Sequence, residues 1–117
     1  MEIILKSKNY NSYQLKTQIE TSIDLKSLSI NLVVKPKHNG FRQLDSAILV
    51  AIVSVISTGV GALITGLLSI ARQAQNKKIV IQDKHSRRIE IPANSPPKKL
   101  EELIETIKKM ESIKILI

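Results

Sequence analysis

A chain of 117 residues has room for one small domain and a single core. It has no cysteine, which excludes disulfides and thiolate metal sites. Its net charge of +8 comes with two Tyr, one Phe and no Trp, so base stacking has no aromatic platform, and anionic lipid headgroups account for the charge at least as well as nucleic acid does.

Glu2 to Lys8 reads as a short strand built on Ile3, Ile4 and Leu5, with Asn9-Tyr10-Asn11 as turn residues. The early Glu2 and the brief apolar run do not fit a signal peptide. Ser12 is placed to cap a helix, and Leu15, Ile19 and Ile23 recur every four residues as an amphipathic helix requires. Leu28, Ile30, Leu32 and Val34 then alternate with other residues at the period of a half-buried strand, which Pro36 ends. Lys37-His38-Asn39-Gly40 is a loop, and Phe41 follows it.

Residues Ser46 to Ala71 form a run of 26 residues without a charge or a proline. As one helix, capped by Asp45 or Ser46 and continuing to about Gln75, the run would be about 39 Å long against roughly 30 Å for a bilayer core. Its thirteen Leu, Ile and Val residues would contribute about −4 to −8 kcal/mol to insertion, offset in part by hydroxyls and glycines. Ser54, Ser57, Thr58, Gly61, Ala62, Thr65, Gly66 and Ser69 share one helical face, the small-residue stripe that lets membrane helices pack closely. The run is therefore expected to be a single-pass inner-membrane helix that self-associates through this stripe. Arg42, Arg72, Lys77 and Lys78 would flank it, with the C-terminal part on the cytoplasmic side. The alternative is a helix buried between the subunits of a soluble, cytoplasmic oligomer.

Lys78 to Gln82 and Arg88 to Pro92 read as a hairpin joined by Asp83-Lys84-His85-Ser86-Arg87. Ser95 is expected to cap the next helix, with Pro96 at its first position. Leu100, Leu103, Ile104, Ile107 and Met110 form the apolar stripe of that helix, and Ile113 to Ile117 is a closing strand. From Leu28 onward the order is βαββαβ, which predicts an α+β, ferredoxin-like fold preceded by a strand and helix. The chain divides into segments 1–43, 44–75 and 76–117. A complete ferredoxin-like sheet conflicts with a bilayer crossing, which would separate the first strand from the later ones. A long helix could meet both demands in part, half covering the sheet and half projecting beyond it.

No catalytic constellation emerges. Gly59-Val60-Gly61 begins like a dinucleotide fingerprint, but the third glycine position holds Ile64, so helix packing accounts for it better. His38 and His85 fall in loops without a second imidazole at metal-ligand spacing. Asp83 near His85 makes no triad without a positioned serine. Glu101, Glu102 and Glu105 lie among lysines on one helix, as a solvated face does. No enzyme, metal or cofactor is expected.

The layout resembles effector-associated constant component 1, a small accessory family of prokaryotic conflict (antiphage) systems. The resemblance runs from the strand ending near Pro36 and the Asn39-Gly40 loop to Leu44-Asp45 opening the apolar run. It continues through Ser57-Thr58-Gly59-Val60-Gly61, Arg72, the IVIQDKHSRRIEI hairpin and the Pro-initiated helix. It implies a non-enzymatic component encoded beside a death effector, such as a caspase-like or trypsin-like protease or a TIR domain. Such a component would hold, localise or transmit that effector's action, and the family supplies no catalytic residues. The expected protein is thus a membrane-associated, homo-oligomeric accessory component of bacterial antiviral defence. An effector would be its partner, and pore formation or membrane disruption a further step.

Overall fold

Ile3 and Leu5 are buried while Glu2 and Lys6 are exposed, and this alternation makes the first strand, β1 (Glu2–Lys6), one layer of a sheet with a single core face. The computed structural model describes residues 1–36, 47–85, 87–110 and 112–117. In chain order β1 is followed by α1 (Ser12–Ser22), β2 (Ile30–Pro36), β3 (Ala47–Val53), α2 (Ile56–Gln73), β4 (Lys78–Gln82), β5 (Arg88–Pro92), α3 (Pro97–Lys108) and β6 (Ile113–Leu116).

The strands form one six-stranded sheet in the order β2-β3-β1-β6-β4-β5. β1 and β6 pair in parallel at its centre, with Ile3 opposite Ile113 and Leu5 opposite Ile115. The other neighbouring strands are antiparallel. The pairs β1/β2, β3/β4 and β5/β6 are each parallel and each joined by a helix. Right-handed crossovers put all three helices on the same side. There α2 lies between α1 and α3, touching both. Leu49, Ala51, Val53, Ile79, Ile81 and Ile91 face this layer and join its core with Leu63, Ile64, Leu67 and Ile70 of α2.

Three expectations are corrected. The 26-residue apolar run is not one helix, because its first part is β3 and α2 begins only at Ile56, with Val55 as N-cap. β3 is an interior strand between β2 and β1, so both of its faces are apolar and it lacks the period of two. Four of its seven residues, Ile48, Val50, Ile52 and Val53, are β-branched, and branched side chains pack well on a pleated surface. α2 has 18 residues, about 27 Å. Among the described residues no helix is long and apolar enough to cross a membrane, which overturns the transmembrane, single-pass inner-membrane placement. The extra strand also replaces the βαββαβ order, so the sheet is not the ferredoxin-like one. With no crossing to separate them, residues 1–36 and 78–116 share one sheet.

The starts of α1 and α3 differ by one residue from expectation. Asn11, not Ser12, caps α1: its side chain accepts from the Gln14 N–H at 2.8 Å, and the Gln14 side chain accepts from the Asn11 N–H at 3.0 Å. Pro96 is the N-cap of α3 and Pro97 its first residue, while the Ser95 hydroxyl donates to the Pro92 carbonyl at 2.6 Å. The Asp45 and Ser46 caps, His38, the Asn39-Gly40 loop, Phe41 and Arg42 lie outside the described residues.

α2 packs tightly because of its glycines. A Cβ on Gly59 would overlap Val53 Cγ1, and one on Gly66 would overlap Ile23. The end of α2 is a Schellman motif, with the Asn76 N–H donating to the Ala71 carbonyl at 2.8 Å and the Gln75 N–H to the Arg72 carbonyl at 3.1 Å. Gln75 sits there at φ 61°, a conformation that favours glycine.

Gly61→Ala and Gly59→Ala should move stability in opposite directions. Gly61 has ordinary room, its nearest outside atom being 3.5 Å from the added Cβ, so alanine gains the helix propensity of about 1 kcal/mol. At Gly59 overpacking against stiff, buried Val53 costs about 1–3 kcal/mol and exceeds that gain. Urea unfolding midpoints would show the first variant above the parent and the second below it.

Candidate functional site: the helix-free face of the sheet

The same alternation that buries one side of each strand sends the other residues to a face that carries no helix among the described residues. Its centre is β3, whose outward residues are Ile48, Val50 and Ile52. The strand register carries this apolar surface sideways, since Val50 lies opposite Val33 of β2 and Ile4 of β1. Ile4, Val33, Ile48 and Ile52 are half-buried, and Val50 is buried among them. An antiparallel sheet with one solvated face normally alternates apolar inside with polar outside. This face does not.

The same row changes character at the middle of the sheet. Ile4 lies opposite Lys114 of β6, Lys114 opposite Gln82 of β4, and Gln82 opposite Arg88 of β5. A second row runs from Lys6 through Leu116 and Val80 to Glu90. Glu90 is bound by two cations, Lys78 Nζ at 2.6 Å and Arg88 Nη2 at 3.5 Å. The Lys78 hydrogen bond and charge, with a smaller contribution from Arg88, hold its carboxyl below the usual range. At one end of the face, Lys8, Lys77 and Lys78 line a shallow cleft of about 280 Å³ with Gln75, Asn76, Val80 and Leu116. The face therefore has an aliphatic patch centred on β3 and bordered by Glu2, Lys6, Asn31 and Lys35, beside a side on β6-β4-β5 where cations outnumber Glu90.

The residues singled out in the sequence lie mostly elsewhere. Ser54 precedes α2. Ser57, Thr58 and Thr65 are exposed on the helix, and Gly61, Ala62, Gly66 and Ser69 are half-buried. Gly61 lies against Ile104 of α3 and Gly66 against Ile23 beyond α1, both within this chain. The Thr65 hydroxyl donates to the Gly61 carbonyl at 2.9 Å. Gly59-Val60-Gly61 is in the first turns of α2. Arg72 Nη1 donates to the Ala93 carbonyl at 3.2 Å. Lys77 and Lys78 are exposed at the start of β4 and belong to the helix-free face.

Two features escaped the sequence reading. The outward apolar residues of β3 were absorbed into a long helix, although their β-branching was the available signal. Asp83 is the other: its side chain is inaccessible in the β4–β5 connection. One oxygen accepts from the N–H groups of His85 at 2.9 Å and Arg87 at 3.0 Å, and the other from Arg87 Nε at 2.6 Å. An aspartate opening a short loop that holds an arginine was its signal. His85 thus contributes its backbone to the loop, and its side chain is exposed.

No protein-family model, no curated protein and no solved structure matches the chain.

Burial pushes the Asp83 carboxyl up, but the hydrogen bonds from Arg87 and His85 and the Arg87 charge outweigh it and leave the value below the ordinary 3.8. A depressed carboxylate contributes stability above its unfolded value and loses it as pH falls through the folded one. Asp83→Asn should therefore flatten the fall in stability as acid is added below about pH 4. Denaturant midpoints of parent and variant across that range would check it, with identical pH slopes opposing the assignment.

Proposed function

We propose that this chain is a non-enzymatic adaptor that docks a protein partner on the helix-free face of its sheet. The observation that carries the reading is the outward side of β3. Ile48, Val50 and Ile52, extended in register by Val33 and Ile4, place aliphatic side chains where a solvated sheet would carry polar ones. A continuous aliphatic surface of this kind is what the core of a protein–protein contact needs. The sequence resemblance supplies the class of partner, an effector of protease-like or TIR-like type encoded beside this chain. The adaptor would hold that effector by protein contact, without insertion into a bilayer.

Co-expression of this chain with the neighbouring effector, followed by capture on either component, tests the reading. The two should co-purify. Ile4→Thr with Ile52→Thr keeps β-compatible side chains on half-buried positions and should weaken the complex by at least about tenfold, 1.4 kcal/mol, without changing the circular dichroism spectrum. A complex indifferent to this pair of substitutions, or none with the parent chain, refutes the proposal.

A further inference from the structure

We infer that the partner of this face is an acidic protein rather than a second copy of the chain, an assignment that rests on the docking role of the face. The charge of the molecule is unevenly placed. Among the described residues, the helix-free face with its cleft carries seven lysines and arginines, Lys6 and Lys35 included, against Glu2 and Glu90, a net +5 where the whole chain has +8. α3 with its C-cap, by contrast, has four lysines against three glutamates. Glu90 holds Lys78 and Arg88, and Lys8, Lys77 and Lys114 stand outside that ion-pair group.

The register sets what can sit there. Aliphatic Val33, Val50 and Ile4 lead directly to Lys114, and Leu116 and Val80 lead to the lysines of the cleft. A matching surface carries aliphatic side chains over the β3 patch and carboxylates around it, because Lys35 and Lys6 border the patch as Lys114 does. A second copy would bring +5 against +5, and like charges across an interface oppose association. A nucleic acid would meet an aliphatic floor that carries no aromatic ring among the described residues. Six of the seven cations are lysines, which lack the planar fork that arginine offers phosphates and base edges.

The experiment uses the full chain, with fluorescence anisotropy of three labelled probes. They are a short peptide alternating Glu and Asp with Leu and Val, its Lys and Arg counterpart, and a single-stranded oligonucleotide. The acidic peptide should bind best and weaken as salt rises. Lys8→Gln, Lys77→Gln and Lys114→Gln together should weaken it by about tenfold, while Lys98→Gln, Lys99→Gln and Lys109→Gln, the same change of charge on the helical layer, should leave it within about twofold. Equal losses in the two triple variants overturn the proposal, as does preferential binding of either other probe. Dimerisation with amide protection confined to the sheet face would overturn it as well. The effector complex separates the two readings. If it needs Ile4 and Ile52 but not the three sheet-face lysines, docking stands and the acidic partner falls.

Discussion

The parallel pairing of β1 with β6 is the constraint on which the rest of this structure depends. It joins the first strand to the last, residue 3 to residue 113, and so ties a strand-helix-hairpin half to a hairpin-helix-strand half. Neither half alone has more than three strands, and a small sheet of that size needs helices to bury its apolar side. Joined, the halves form a single sheet on which α2 lies centrally, touching the helix of each half. Pairing over so long a sequence separation makes the core a property of the whole chain.

That arrangement also decides what is left uncovered. Three crossovers of one hand put three helices on one side, and the glycines of α2 let that layer sit close: Gly59 against Val53 of the sheet and Gly66 against Ile23 beyond α1. The small residues of α2 therefore serve contacts inside the chain at the positions where the packing is tightest. The other side of the sheet receives no helix among the described residues. There an aliphatic patch around Val50, bordered by Glu2, Lys6, Asn31 and Lys35, meets Lys114 across the β1–β6 pair. The same ladder that closes the core thus sets the two chemistries of the open face side by side.

Charge and hydrophobicity act differently on such a face. The aliphatic residues give contact area and its associated free energy, which scales with surface removed from water. The lysines act at longer range, steering approach and selecting against partners of the same sign. Asp83 belongs to neither role. By accepting three hydrogen bonds within one turn it shapes the β4–β5 connection, and thereby keeps Arg88 and Glu90 in register with Gln82 and Val80.

The local elements were legible wherever one residue pattern had one meaning. The β4–β5 hairpin is bounded by its own turn residues, and Lys78 to Gln82 and Arg88 to Pro92 are its strands at the limits read from sequence. α1 and α3 show their apolar faces at helical spacing, and β1 and β6 show their strand character. The run from Ala47 to Ala71 was not legible. A stretch apolar on all sides fits a buried strand, a buried helix or a membrane helix alike, since periodicity vanishes when both faces are covered. Only the placement of β3 between β2 and β1 made Ile48 to Val53 a strand, because there its amides and carbonyls find partners on both edges. The open face was equally invisible, for its aliphatic patch exists only where Val33, Val50 and Ile4 are brought into line by register. The sequence by itself determined composition, charge, the hairpin and the two amphipathic helices, which depend on neighbours a few residues apart. The tertiary structure alone decided the strand within the apolar run, the order of the sheet and the side left bare, because each depends on contacts between residues far apart in the chain.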